Sequence, residues 1–247
     1  SLGRRCLIQS ENASGPRPCR FRVVGAFRDD FGLVRHAQDR QVSRAPSSII
    51  RTKVSPPPLG SNVVERPRLS AHIAETIERN HTIVVAATAG SGKTTAVVQA
   101  CLNGSRPVAW LTVDQADSAP GRLLLYIEAA IGVHVESVRG LVAEVLGARI
   151  SHAEAAGLLV DATSEIPLTL VIDGLEHLND SPEGLAVIEA IVRYAPVSLK
   201  VVLLSRSDVP IDSRMISGVD FVAAVGEQEL AFTLEEATFV LQKMNMF

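Results

Sequence analysis

A lysine and a threonine follow two closely spaced glycines in the segment ATAGSGKT, which begins at Ala87. Gly90 and Gly92 can turn the backbone so that its N–H groups face an anion, and a following helix would present its positive end to the same anion. Lys93 would then reach the β- and γ-phosphates of a nucleotide, and the Thr94 hydroxyl would ligate Mg²⁺. The predicted phosphate-contacting residues are Ala89, Gly90, Ser91, Gly92, Lys93, Thr94 and Thr95.

An aspartate ends an almost wholly apolar run further along the chain, LTLVID, which finishes at Asp173. This composition is typical of a parallel strand that is covered on both faces. A carboxylate at the end of such a strand can hold Mg²⁺, directly or through water, opposite Thr94. An aspartate in this place can also simply cap the next helix, but its position downstream of a phosphate loop favours the magnesium role.

Hydrolysis of a nucleotide would also need a group that orients water beside the γ-phosphate. Glu176 is the candidate, and His177 is the alternative. Both can equally be solvated residues at the start of a helix. Gly174 occupies the position where many proteins with this motif carry a second acid, which argues against efficient hydrolysis.

A third motif, KVVLLSRSD, ends an apolar run with Ser205 and Arg206. A guanidinium beside the phosphates could contact the γ-phosphate and report its loss to a neighbouring domain. The structural alternative is that Arg206 pairs with a surface acid such as Asp208.

The elements that must position these residues alternate between strands and helices. Apolar runs predict five strands, at Ile83–Val85, Pro107–Val113, Leu168–Asp173, Leu199–Leu204 and Phe221–Val225. Helices are predicted from a Ser70 cap to about Asn80, after the phosphate loop, from Pro120, over 136–160 and after Ser181. The pattern predicts an α/β fold, a P-loop NTPase with a doubly wound parallel sheet of about five strands flanked by helices.

Composition and charge limit the remaining possibilities. The 247 residues are 47% hydrophobic, which suffices for one α/β core, and no apolar stretch approaches the ~20 residues that cross a bilayer. Three cysteines without disulfide or metal spacing predict a cytoplasmic protein with no membrane partner. The chain begins without methionine and ends as a new helix starts, so we expect it to be a fragment.

The basic residues are concentrated at the N-terminus. Residues 1–53 carry 11 Lys+Arg against 4 Asp+Glu, a net +7, and residues 54–247 carry 13 against 23, a net −10. The scattered arginines show no helical period, so we expect residues 1–53 to be a disordered segment rather than a nucleic-acid surface.

These motifs and their surroundings together resemble the ATP-binding module of large LuxR-type transcriptional regulators, the maltose-activator-like branch of the STAND NTPases. The resemblance runs from about Arg51 to Phe247. It is carried by TKVSPPPLGSNVVERPRL, TAGSGKTTAV, RPVAWLTVDQADSAPGRLLLYI, LVIDGLEHL, VVLLSRSD and FTLEEATFVL, in this order.

The resemblance implies a module that binds ATP and Mg²⁺ and acts as a switch, with slow or no hydrolysis. It implies that Lys93 and Thr94 bind phosphate and Mg²⁺, that Asp173 is the Walker B acid, that Arg206 is the sensor, and that Val64, Arg66 and Arg68 lie near the base. DNA would be bound only through domains missing from this chain, and the resemblance allows self-association on ATP binding. Alternatives are a competent AAA-like ATPase and a NACHT-like nucleotide-binding scaffold.

A capping box predicts one more helix near the C-terminus. Thr233 stands three residues before Glu236, the spacing at which the two residues cap a helix that starts at Leu234. In the family that the chain resembles, this helix opens the next domain. We therefore expect three parts: the basic segment 1–53, the NTPase domain 54–228, and the start of a helical domain at 229–247.

Overall fold

The structure is a computed structural model that describes residues 49–61, 63–206 and 222–244. Residues 1–48 of the predicted basic segment lie outside the described residues, so its disorder stays a prediction. Among the described residues, no helix has both the length and the apolar character that a membrane span requires.

The described residues form one sheet of five parallel strands in the order β2-β3-β4-β1-β5. The strands are β1 Thr82–Ala86, β2 Val108–Thr112, β3 Leu168–Asp173, β4 Leu199–Ser205 and β5 Val222–Val225. All five lie within a residue or two of the predicted runs, which confirms the predicted α/β fold. Because β4 lies between β1 and β3, three strands end side by side at the edge where the site was expected.

Eight α-helices accompany the strands in the described part of the chain. They are α1 Pro67–Arg79, α2 Lys93–Leu102, α3 Pro120–Ile131, α4 Leu141–Gly147, α5 His152–Asp161, α6 Pro182–Tyr194, α7 Glu227–Leu230 and α8 Leu234–Met244. Short 3-10 helices lie at Arg51–Val54, Gln115–Asp117, Glu136–Val138 and Leu175–Leu178.

The sheet is covered on both faces, as its apolar strands require. Side chains of β3 and β4 alternate between two buried clusters: Leu170 and Leu203 contribute to a core under α3 to α6, whereas Val171 and Val202 contribute to a core under α1 and α2. Trp110 of β2 is fully buried in the second core.

Helix α1 begins four residues earlier than the sequence pattern predicted. Pro67 is its first residue, a position where proline is well tolerated because the N–H it lacks has no partner inside the helix. Ser70 is therefore not the cap: its hydroxyl donates to the Pro67 carbonyl oxygen at 3.2 Å from within the first turn. The predicted cap at Ser70 is wrong, whereas the apolar face through Ile73 and Ile77 is buried as expected.

The predicted capping box at the C-terminal helix is confirmed. The Thr233 hydroxyl accepts from the Glu236 N–H at 3.2 Å, and the Glu236 carboxylate accepts from the Thr233 N–H at 3.0 Å. Helix α8 begins at Leu234, as its sequence predicted.

The 3-10 helix Arg51–Val54 is anchored by an ionic network that we call the Lys53 cluster. It consists of Lys53, Asp114, Asp117, Arg122 and Tyr126. Lys53 pairs with the fully buried Asp117 and, at 2.9 Å, with Asp114, while Arg122 Nε lies 3.1 Å from Asp117. Both cations lie over the Tyr126 ring. Residues 49–53, assigned above to the disordered segment, are thus fixed to the domain.

Candidate nucleotide-binding site

The phosphate loop connects the end of β1 with the first turn of α2. Gly90 and Gly92 have φ angles of +84° and +83°, which glycine adopts without the steric cost that other residues meet. Gly92 is also the residue that precedes α2, so the loop leads directly to the positive end of that helix. Ala87 has no positive φ, so the alanine in place of the usual first glycine costs nothing at this position.

The side chain of Lys93 extends toward the beginning of the loop and is largely buried. Its Nζ donates to the carbonyl oxygens of Ala87 and Thr88, at 2.6 and 2.8 Å, and to Ser91 Oγ at 3.3 Å. Burial lowers the pKa of Lys93 below its ordinary value, against the attraction of Glu176 and Asp173. None of its hydrogen-bond partners is a carboxylate, so the ammonium can exchange these contacts for an anion.

Thr94 and Asp173 meet although 79 positions separate them in the sequence. The Thr94 hydroxyl donates to Asp173 Oδ2 at 2.9 Å. Burial raises the pKa of the Asp173 carboxyl, and the hydrogen bond from Thr94 opposes that rise. A hydroxyl and a carboxylate oxygen at this separation are hard ligands of the kind Mg²⁺ takes.

Glu176 and Arg206 contact each other through two interactions. Glu176 Oε1 lies 3.0 Å from Arg206 Nε, and Glu176 Oε2 accepts from the Arg206 backbone N–H at 3.1 Å. The predicted water-orienting acid and the predicted sensor arginine are therefore paired, and Arg206 keeps most of its side chain exposed. The alternative partner, Asp208, lies outside the described residues.

Gly174 is fixed as glycine by the backbone. Its φ is +92°, and a Cβ there would lie 2.6 Å from the Val113 carbonyl oxygen. A second acid at this position would meet both the strained φ and the clash, so its absence follows from the local geometry.

These residues line a cavity of about 420 Å³ at the carboxyl edge of the sheet. From the predicted set it is lined by Ala89, Gly90, Gly92, Lys93, Thr94, Thr95, Asp173, Glu176 and Arg206. His177, Gly174 and Ser205, which were noted beside the motifs, also line it. Ser91 is not among the lining residues.

Thr112 and Val113 line the cavity as well, and the sequence reasoning missed them. The strand order explains why these two residues lie at the cavity. Strand β2 pairs with β3, and the Val113 N–H donates to the Asp173 carbonyl oxygen at 2.7 Å. The sequence signal that could have identified them is the polar residue Thr112 at the end of an apolar run.

The three residues predicted near the base, Val64, Arg66 and Arg68, do not line this cavity. Arg66 is buried and donates to the carbonyl oxygens of Leu230 and Ala231, each at 2.8 Å, and pairs with Glu236 at 2.8 Å. Val64 accepts from Gln99, and Arg68 is exposed. Their role at a base stays a prediction.

No group of three or more His, Cys, Asp or Glu side chains in the described part of the chain could hold a metal ion. A magnesium ion bound with a nucleotide does not need such a group, because it uses one or two protein ligands together with phosphate oxygens and water. Thr94 and Asp173 fit that requirement.

No protein-family model matches the chain. The transcriptional regulator MalT of Serratia proteamaculans is 31% identical over 194 residues, and that of Klebsiella pneumoniae is 29% identical over 193 residues. Each alignment covers 76% of this chain. The chain spans only 21% of the length of these curated relatives.

Two solved structures are similar in outline. A Walker-type ATPase of Pyrococcus abyssi has 14% identity and a TM-score of 0.48, over 73% of this chain and 57% of that chain. A STAND protein with a tetratricopeptide repeat sensor from Pyrococcus horikoshii has 17% identity and a TM-score of 0.48, over 81% and 27% respectively.

The sequence relationship spans 76% of the chain, and it agrees with the resemblance that the motifs predicted. The chain is therefore related to the MalT transcriptional regulators, through a segment that folds as a P-loop α/β domain.

Proposed function

We propose that the chain binds ATP together with Mg²⁺ and acts as a nucleotide-dependent switch module of a cytoplasmic, signal-responsive transcriptional regulator. The observation that carries the proposal is the hydrogen bond between Thr94 and Asp173 beside the phosphate loop. It brings together the two side chains that a magnesium–nucleotide complex needs, from different elements, at the carboxyl edge where such folds bind ligands.

The residues divide the binding task by their chemistry. Backbone N–H groups of the loop from Ala89 to Gly92 and the start of α2 would contact phosphate, and Lys93 would leave its carbonyl partners for the same charge. Thr94 and Asp173 would hold Mg²⁺, which supplies positive charge that neutralises the phosphate oxygens.

The pair formed by Glu176 and Arg206 supports a switch more than an efficient enzyme. We propose that the Arg206 guanidinium turns from Glu176 toward the γ-phosphate when a nucleotide binds, so that the pair has two arrangements that a nucleotide can bias. While the pair is intact, both carboxylate oxygens of Glu176 contact Arg206 and do not orient a water molecule. Gly174 provides no second acid. We therefore propose slow or no hydrolysis.

The regulatory part of the proposal rests on the relatives. They are named as helix-turn-helix transcriptional regulators, and 21% of their length matches this chain. We propose that DNA contact occurs through parts of a longer protein that lie outside this sequence. Self-association on ATP binding is proposed from the family resemblance of the motifs alone.

The test is to titrate the wild-type chain and Lys93→Ala with labelled ATP in the presence of Mg²⁺. Loss of a charged hydrogen-bonding partner costs about 2 to 3 kcal/mol, so we expect the affinity to fall some tens-fold. In the same assay, ATP turnover by the wild type should stay below about one event per second, the low end of enzyme turnover numbers.

A matched control is Lys200→Ala. Lys200 lies at the start of β4, away from the carboxyl edge, where its Nζ donates to the Glu78 carbonyl oxygen. This variant should bind ATP as the wild type does. Equal ATP affinities for the wild type and Lys93→Ala would overturn the proposal.

A further inference from the structure

A carboxylate from beyond the sheet contacts the phosphate loop. Glu227 is the first residue of α7, and it follows β5 after a single glycine, Gly226. Because β5 pairs in parallel with β1, both strands end at the same edge, and Glu227 reaches the loop there. Its Oε1 accepts from the Thr88 backbone N–H at 3.0 Å.

Glu227 and Lys93 are bound to opposite sides of the same residue. Glu227 accepts from the Thr88 N–H, and the Lys93 ammonium donates to the Thr88 carbonyl oxygen at 2.8 Å. Ala89, the next residue along the loop, lines the phosphate cavity. The hydrogen bond from Thr88 lowers the pKa of Glu227, so the carboxylate is charged at neutral pH. Glu227 does not itself line the cavity, but the hydrogen bond to Thr88 places its negative charge one residue along the loop from Ala89, which does.

The segment that carries Glu227 is held firmly at its other end. Arg66 donates to the Leu230 and Ala231 carbonyl oxygens and pairs with Glu236, and Leu230 is buried in the core under α1 and α2. Helix α7 therefore cannot readily move away from the loop as a whole, and the carboxylate stays close to the site when phosphate enters.

We propose that Glu227 sets the preference of the site between a nucleoside diphosphate and a nucleoside triphosphate. Its charge opposes every bound phosphate, but it opposes the triphosphate more because that ligand brings an additional negative charge to the same place. The inference rests on the proposed nucleotide binding and adds a residue that no motif contains. Glu227 thereby keeps ATP from binding much more tightly than ADP, as a module that must exchange the two requires.

The test is to measure the dissociation constants of Mg-ATP and Mg-ADP by calorimetry for the wild-type chain, Glu227→Gln and Glu227→Ala. The glutamine keeps an oxygen that can accept from the Thr88 N–H and removes only the charge, whereas the alanine removes both. We expect the ratio of the ATP constant to the ADP constant to fall about threefold in both variants, since the charge is exposed and partly screened. High salt should shrink this difference.

Glu235→Gln is the matched control, because Glu235 is an exposed acid of the same segment, in the first turn of α8. Its ratio should equal that of the wild type. An unchanged ratio in Glu227→Gln overturns the inference. If the wild type binds nucleotide through Lys93 and the ratio does not change, this inference alone fails. If the wild type binds neither nucleotide, the proposed function fails with it.

Discussion

Two groups of acidic and basic side chains lie at the carboxyl edge of the same sheet, and they are built in opposite ways. In the Lys53 cluster the buried acid Asp117 has two cationic partners, and an aromatic ring lies against both. In the phosphate site, Lys93 has no carboxylate within hydrogen-bond distance, and Asp173 is bound by a hydroxyl instead of a cation. In the first group the charged side chains pair with one another, whereas the second group borders a cavity.

The difference shows what separates a structural ion pair from a binding site. In both groups an aspartate follows an apolar strand, Asp114 after β2 and Asp173 at the end of β3. Lys53 lowers the pKa of Asp114, whereas burial raises the pKa of Asp173. A group that satisfies its own charges stabilises the fold, and a group that leaves them uncompensated is ready for a ligand.

The largest effect that this comparison predicts is on stability. Lys53→Met removes one of the cations beside the fully buried Asp117, and breaking a buried pair in this way costs about 3 kcal/mol when a second partner remains. Unfolding in denaturant measures the loss. The matched variant Lys93→Met should lose only about 1 kcal/mol, because the partners it removes are neutral carbonyl oxygens and no buried charge is left unpaired. Equal losses would contradict the distinction between the two groups.

A second prediction concerns the backbone of the phosphate site. Gly174→Ala places a Cβ 2.6 Å from the Val113 carbonyl oxygen at a φ of +92°, so we expect it to destabilise the protein by about 2 kcal/mol. Gly147→Ala is the control, because nothing lies within 4 Å of the added carbon and its φ is ordinary. If both variants unfold at the same denaturant concentration, the backbone at Gly174 is less constrained than the structure indicates.

The smallest predicted effect is a pH dependence of opposite sign in the two groups, without nucleotide or Mg²⁺. Because the pKa of Asp173 is raised in the folded state, the wild type loses stability as pH rises through that folded-state pKa. Asp173→Asn should therefore melt about 1–2 °C above the wild type at neutral pH and at the same temperature in acid. The lowered pKa of Asp114 means that its contribution is present above the unfolded-state value and is lost as pH falls.

Asp114→Asn should therefore melt below the wild type at neutral pH and approach it in acid. Calorimetric scans from about pH 2.5 to 7, which extend below the ordinary aspartate value as well as above it, test both variants together. Differences of the same sign in the two variants would show that the groups do not differ electrostatically.

The sequence predicted those features that depend on local chemistry. Apolar runs located all five strands, the two glycines located the loop, and the spacing of Thr233 and Glu236 located a helix start. The meeting of Thr94 with Asp173 was also predicted, because the carboxyl ends of parallel strands share one edge.

Most other contacts between distant segments were not predicted. The pairing of Lys53 with Asp117 and of Arg66 with Glu236 joins segments 64 and 170 positions apart, and neither pair has a local signal. Glu227 was missed for the same reason, since its contact with Thr88 depends on where β5 lies. The strand order itself, with β4 between β1 and β3, has no signature in residue type or spacing.

That strand order has a consequence for the emergence of the chain from the ribosome. Strand β1 is made first, but it pairs only with β4 and β5, and its first residue, Thr82, lies opposite Val201, 119 positions later. Strands β2 and β3 can pair with each other well before then, whereas the loop stays attached to a strand without neighbours. Of the three motifs of the site, the phosphate loop is therefore synthesised first, but its strand gains neighbours only after β4 has been made. Nucleotide can then assist only the closing step of the domain's folding.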